Sequence, residues 1–550
     1  MLFTCIILNF KTPILNKIKS PSMKKKLLLL LLILPLSITL LHAQNLPEAA
    51  LNIHLGSQNF TKNNMMPNQI VASDEKGIYI TKIKLSDELR GKSEFPIIEF
   101  YNHQMELMAY HQLHAKNHDT PPRFEQITQV GDRLYCFYST YDKGQNQKKL
   151  WADEIEKSTL SLRQSPFCLQ SFSPQKKAKF KIAKFHLKLS DDNNTILATF
   201  KQPGAKNDTD TFNFKVVDQE MKEIWSSQLK APYNNSQYVT TNIHLSISGD
   251  LYLLNKAAPS EKALAKFWEP NYHYSIIAIT DQGKTQTTIQ PQVQGKHFTK
   301  MQISTNHNNQ LVCAGFYTDQ LQNTTSGSYF LTLKGQKITQ KSFQAFEPKS
   351  DEGQAKGSKV ENQKYLYTYL LNDIEFRGDG SAVLIAEQTS QSPGASFTSH
   401  NHLPMANSIF NTIAVVSIAP EGEIMWTKKI HKNQLSPEGY SFFSSYATAV
   451  LHDKIYLVFN DHPENLSTEE SDPVRFNPKA AKKELMIAMV ELDWNGHIKK
   501  EALSFSRDLH LLTKPLACKQ VSSHQMVVLG QYNNAYRMAR LDFEKTFSYQ

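Results

Sequence analysis

Two hairpin patterns recur in a fixed order along this chain, and their recurrence restricts the possible folds more than any other property of the sequence. The stretch IAVVSIAPEGEIMWTKKI (413–430) is an alternating strand, a tight acidic and glycine turn, and a second strand opening towards a Trp. The same layout returns as FNFKVVDQEMKEIWSSQL (212–229), YSIIAITDQGKTQTTI (274–289) and ELMIAMVELDWNGHIKKEAL (484–503), with a shorter copy in SYFLTLKGQKITQKSF (328–343). Before each copy comes an alternating strand, a short Gly, Asp or Asn turn and a dense apolar strand. Examples are FHLKLSDDNNTILATF (185–200), IHLSISGDLYLLN (243–255), MQISTNHNNQLVCAGF (301–316), IEFRGDGSAVLIAE (374–387) and ATAVLHDKIYLVFN (447–460). Period-two alternation broken by turn residues is the signature of antiparallel strands. The two patterns together make a four-stranded unit, whose strands are called a to d in chain order.

The first apolar residue after each a-b turn gives the anchors Ile78, Leu134, Ile196, Leu251, Leu311, Ala382, Ile455 and Met526, spaced 55 to 73 residues apart. Units of four short strands with hardly any helical periodicity between them imply an all-β fold, a single β-propeller whose sheets cover one another's faces. A pair of β-sandwiches or a β-helix is the alternative, and the hairpin-plus-hairpin order disfavours the β-helix. Eight blades are expected, or seven if the irregular first unit (65–114) is not a blade. After Met526 only one further strand remains, AYRMARLDF (535–543), while ALNIHLGSQNF (50–60) near the start is unassigned. The N-terminal strand is therefore expected to close the ring by completing the last blade.

The turn and terminal Trp of EGEIMW (421–426) and EMKEIW (220–225) resemble the blades of quinoprotein-like and WD-type propellers. That resemblance implies the fold. A quinoprotein dehydrogenase would also imply Trp docking in most blades, calcium ligands and an adjacent-cysteine pair; Trp stands at this point in two blades, and no two cysteines are adjacent. SIAPEGEIMW (417–426) has Pro420 and Glu421 where a sialidase-type Asp box would carry its aspartate. The resemblance therefore implies no cofactor and no catalytic residue.

Residues 23–44, MKKKLLLLLLILPLSITLLHAQ, have the basic, apolar and small-residue layout of a secretory signal. Their apolar run, Leu27 to Leu41, is shorter than the roughly 18 to 20 residues of a spanning helix. Cleavage near Ala43 or Gln44, no stable membrane span afterwards, and a propeller over residues 45–550 are expected. Residues 1–22 read as an upstream, misannotated start. Export to the periplasm or outside the cell of a Gram-negative bacterium fits this layout. The formal charge of +10 includes six lysines and no acid in residues 1–44, so the remainder carries only +4 and gives no footing for nucleic-acid binding. Beyond that segment Cys136, Cys168, Cys313 and Cys518 are scattered without a CxxC. Four free thiols are expected, since Cys136 and Cys168 fall two strands apart in one blade, beyond disulfide reach.

The chain has no HExxH, P-loop, GxSxG or EF-hand motif. His103, His111, His114 and His118 form a His-rich run, but strand alternation would put His111 and His114 on opposite faces, so no metal site is expected. Four residues of alternating inner strands are candidates for lining the central channel: His186, His244, Asp373 and Glu375. The longest connections fall between strands b and c, at 256–273, 317–328, 388–411 and 461–483. Loops on a rigid scaffold are the usual seat of binding. Phe267, Trp268, Tyr272, Phe397, His400, His402, Asp461, His462, Glu464, Glu469, Glu470 and Arg475 are the candidates there.

Two functions follow as expectations. The first is a binding or scaffold module for a protein, peptide or glycan on the b-c face. The second is a glycan- or ester-active enzyme using carboxylates from several blades, such as Glu387, Asp461 and Glu464.

Overall fold

The computed structural model describes residues 51–543, apart from 62–64, 85–93, 117–119, 174–184, 203, 205–207, 235, 261–271, 320–324, 347–365, 392–407, 438–439, 467–472, 481–483 and 504–510. The expected leader, residues 1–44, lies outside the described residues. Each repeat unit folds as one antiparallel sheet in the order a-b-c-d. The blades occupy residues 65–112, 123–172, 185–234, 238–289, 297–345, 366–436, 447–502 and 512–542. All eight anchors sit at the first or second residue of a strand b, including Ile78 of the irregular first unit.

Alternation explains the packing. In strand b of blade 4 (Leu251–Ala257), Leu251, Leu253 and Ala257 enter an apolar cluster shared with blade 3. Tyr252 and Leu254, on the other face, enter one shared with blade 5. Both faces of the sheet are thereby buried, which is why these strands read as nearly unbroken apolar runs. Similar clusters join blades 1 to 2, 2 to 3, 5 to 6, 6 to 7 and 7 to 8. A further cluster unites Ile70, Ile78 and Tyr101 of blade 1 with Val527, Leu529 and Tyr536 of blade 8. The ring is continuous. The chain is an eight-bladed β-propeller.

The two Trp side chains singled out by the repeat cross from one blade to the next. Trp225 donates its indole N–H to the Gly249 carbonyl of blade 4 at 3.1 Å, and Trp426 donates to the Trp494 carbonyl of blade 7 at 2.8 Å. Each ring lies on a turn glycine of the next blade. A Cβ on Gly283 or Gly496 would stand 2.9 or 3.0 Å from the ring, and both residues have φ near +80°. Replacing Gly496 by Ala should cost about 2–4 kcal/mol, backbone strain plus displacement of Trp426. Gly335, also at positive φ but with open space around it, should cost only about 1 kcal/mol. Denaturant titration of the two variants measures the difference.

The seam between blades 8 and 1 holds a buried polar cluster. Lys82 Nζ donates to Glu99 Oε1 at 3.0 Å and to the Tyr536 hydroxyl at 3.2 Å, and the Tyr101 and Tyr536 hydroxyls donate to Glu99 at 2.9 and 3.0 Å. Strand c of blade 8 (Ala535–Asp542) pairs antiparallel with Asn52–Leu55 and Asn59–Phe60, in the place strand d takes in other blades. Leu51 and Ile53 pack onto the cluster between blades 7 and 8. Deleting residues 45–60 should lower the melting temperature sharply in a thermal scan; an unchanged melt would mean that this strand carries no part of the ring's stability.

Candidate functional site

Strand a lies innermost, as first strands of neighbouring blades meet one another from blade 1 to 2, through blades 3 to 6 and from blade 7 to 8. Four consecutive inner strands, in blades 3 to 6, bring polar side chains to one place in the channel. Lys188, on Phe185–Leu189 of blade 3, places Nζ 3.0 Å from Oδ2 of Asp373 in blade 6. Gln302 of blade 5 donates to the other oxygen of Asp373 at 2.6 Å. His244 of blade 4 sets Nε2 3.0 Å from Thr305 Oγ1 and 3.6 Å from Asp191, a residue of the blade 3 a-b turn. Glu375 follows Asp373 two residues on, past a break in the inner strand between Leu371 and Glu375.

The charges differ in state. The Asp373 side chain is 63% exposed to the channel, but protein walls surround it, and such clefts screen charges less than open water does. Burial opposes its ionisation, yet Lys188 outweighs this and holds the carboxyl below the usual range. Glu375 is pushed up to about 7 by burial and by Asp373. Asp191 is raised to about 6 by burial, partly offset by Lys188. His244, 4% exposed, is lowered to about 4 by burial and then by Lys188. The cluster thus favours the carboxylate at Asp373, and favours the neutral forms of Glu375, Asp191 and His244 more than water would.

Of the four channel candidates, His244, Asp373 and Glu375 therefore share one neighbourhood. His186 does not join them. The parallel bridge between Ser190 and Leu245 sets the register of the two inner strands: His244 is one residue from that bridge and His186 four, so the two are not level. Lys188, Asp191, Gln302 and Thr305 were not singled out from sequence. Lys188 alone had a local signal, sitting two residues from His186 on the same alternating strand.

A second cluster is fully buried between blades 6, 7 and 8. Lys432 Nζ is 2.6 Å from Glu387 Oε1, with both side chains at most 4% exposed. Lys500 Nζ is 2.7 Å from Asp461 Oδ2, at most 3% exposed. Ser445 donates to Glu387 at 2.7 Å, Gln434 accepts from Lys432 at 2.7 Å, and Asn465 donates to Asp461 at 2.7 Å. Burial, followed by Glu387 and Glu375, raises the Tyr446 hydroxyl. Its hydroxyl is buried and unpartnered.

On the b-c side, Trp268, His400 and His402 lie outside the described residues, as do Phe267, Phe397, Glu469 and Glu470. Tyr272 is half-buried, donates to the Thr299 carbonyl at 3.2 Å and carries Lys256 Nζ 3.5 Å above its ring. His462 is half-buried and Glu464 exposed. The Glu464 amide donates to His462 Nδ1 at 3.3 Å, and Arg475 Nε donates to the Asn433 side chain at 3.4 Å. The carboxylates expected to converge here do not act together: Glu387 and Asp461 are each committed to a lysine, and Glu464 stands outside the buried cluster. Of the His-rich run, His103 contacts the Glu75 carbonyl at 2.8 Å and His111 is exposed on an outer strand. Among the described residues no three His, Cys, Asp or Glu converge as metal ligands. Cys136, Cys168, Cys313 and Cys518 are free thiols. A groove of about 300 Å³ is lined by Gln292–Gln294, in the link before blade 5, and by Ile338–Lys341 of that blade's last strand.

No known family matches this sequence, and no curated protein matches it. Among solved structures, it is similar to the WD40 domain of SCAP from fission yeast, with 7% identity over 88% of this chain and 98% of that one and a TM-score of 0.36. The β-propeller domain of the Trilobed protease from Pyrococcus furiosus is 8% identical over 80% of this chain and 96% of its own, with a TM-score of 0.33. A protein of unknown function from Bacteroides caccae is 10% identical over 66% and 93%, with a TM-score of 0.26. None of the three lends this chain an activity.

The buried cluster has a measurable signature. Replacing Lys432 by Met should cost about 3–5 kcal/mol, because Glu387 is left charged and unpaired in the interior. Adding Glu387→Gln to that variant should recover most of the loss in the same denaturation experiment.

Proposed function

We propose that this chain is an exported, non-enzymatic binding or scaffold module that takes a protein, peptide or glycan on the b-c side of its ring. The observation that carries this reading is the state of the carboxylates at the long connections. Glu387 and Asp461 are neutralised by lysines and closed to solvent, so they cannot serve as the acid and base of a hydrolase. A ring with every blade interface filled by apolar side chains fixes the strand ends from which its connections leave. Four of those connections, between Ala257 and His273, Thr318 and Gly327, Gln391 and Ser408, and Asp461 and Met486, are longer than the hairpin turns around them. Tyr272 with Lys256 supplies the aromatic and cationic chemistry common in recognition surfaces. Export rests on residues 23–44, and no helix among the described residues is long and apolar enough to cross a membrane.

A second reading is favoured by one observation. Asp373 and Glu375 have ionisation ranges driven apart, which is the pattern of an acid and base pair. A glycan or ester hydrolase built on it would work in the channel and not at the loops. Residues 45–550 and a variant with the four b-c connections shortened should be compared in pull-downs from envelope and culture fractions. A partner retained by the full chain and lost by the variant supports the binding module. Equal capture by both removes the b-c side from the proposal, and turnover of glycan or ester substrates abolished by Asp373→Asn replaces it with the hydrolase.

A further inference from the structure

The Lys188–Asp373 pair joins residues 185 positions apart in sequence and three blades apart in the ring. It is also poorly protected. The lysine side chain is 35% exposed and the aspartate 63%, and an exposed pair of this kind contributes roughly 0–1 kcal/mol. Its neighbours therefore decide how firmly it holds. Asp191 belongs to the same blade as Lys188 and feels the attraction of its ammonium. Glu375 belongs to the same strand as Asp373 and, when charged, repels it.

We propose that Lys188 and the three carboxyl groups around it form a proton-operated latch inside the channel, tying blade 3 to blade 6 in weak acid and releasing above neutrality. With Asp191 and Glu375 protonated, Asp373 is the one carboxylate near Lys188 and the ammonium crosses the channel to it. Gln302 holds the other carboxylate oxygen in place. Once Asp191 and Glu375 ionise, one ammonium faces three carboxylates. Asp191 draws it back towards its own blade, and the tie is lost.

Among the described residues, these charged or titratable groups lie around the latch, with His186 beside Lys188 on the same strand. Blade 3 contributes Lys188, Asp191 and Asp192, and Asp192 is fixed by Ser190 and Asn194. Blade 4 contributes His244, and blade 5 the uncharged Gln302 and Thr305. Blade 6 contributes Asp373 and Glu375, and Tyr446 feels the charge of Glu375. Folding raises Asp191 from 3.8 to about 6 and Glu375 from 4.5 to about 7. The stability tied to their protons is complete below about pH 4 and is lost as pH rises through 6 and 7. His244, lowered from 6.5 to about 4, works in the opposite direction, but only between about pH 4 and 6.5. Above that range the loss at Glu375 is unopposed.

The test is a double-mutant cycle on Lys188→Met and Asp373→Asn, read by thermal and denaturant unfolding at pH 5.5 and 8, alone and in a Glu375→Gln background. The expected result is a coupling between Lys188 and Asp373 that weakens about threefold in unfolding equilibrium constant from pH 5.5 to 8, within the range open to an exposed pair. Glu375→Gln should remove most of that pH dependence and make the protein more stable than the parent at pH 8. A coupling that is equal at both pH values, or unaffected by Glu375→Gln, overturns the latch. Amide exchange in the unsubstituted protein is an independent check. After correction for intrinsic rates, residues 185–189 and 372–376 should exchange faster at pH 8 than at pH 5.5, while 311–318 stay unchanged; equal protection in the two sets at both pH values would also overturn it.

Discussion

Each blade of this protein is a sheet with two apolar faces, and nothing but another blade covers them. Ile276 and Ala278 belong to one interface and Ile277 and Ile279, their alternating neighbours, to the next. A single blade in water would leave both faces exposed, and an open row would leave two. Closing the row into a ring is the arrangement in which no face is left over. Docking of Trp225 and Trp426 adds direction to this non-directional attraction, since each indole N–H has one carbonyl to find in the following blade.

The periodicity of that ring was legible in the sequence because it is local. Turn glycines, alternation and the apolar run of strand b all fall within about fifteen residues of each anchor, and each anchor marks the start of a strand b. The polar sites were far less legible. Lys188 meets Asp373, and Lys432 meets Glu387, through the geometry of several blades, and no spacing along the chain encodes those meetings. His186 and His244 show the limit in another form. They look equivalent in their strands, but inner strands of adjacent blades are offset, and the bridge at Ser190 and Leu245 puts the two histidines at different depths. Glu387 and Asp461 were recognisable as carboxylates near long connections, whereas their lysine partners lie elsewhere, Lys432 in the link after Ile424–Ile430 and Lys500 on Ile498–Ala502.

The two ionic clusters follow opposite rules. At Lys432 and Glu387 the surroundings exclude water, so charge is tolerated only because each ion has its counter-ion and further hydrogen bonds. Proton exchange with solvent is suppressed there. In the channel, Asp373 and Asp191 both meet water and Glu375 is half-buried, while the surrounding protein pushes the carboxyls of Glu375 and Asp191 up. Tyr446 feels the charge of both Glu387 and Glu375, one from each cluster.

The pairing of Asn52–Leu55 with residues 539–542 also fixes how the folded chain would respond to force. The pairs are antiparallel, with Asn52 opposite Asp542 and Leu55 opposite Ala539. The two directions of the chain therefore leave this sheet at the same end. Tension applied between residues 51 and 543 would load the Asn52–Asp542 pair first and part the strands like a zip, one pair after another. The blade interiors, whose strands are joined by hairpins on both sides, would feel no load until that single seam had parted.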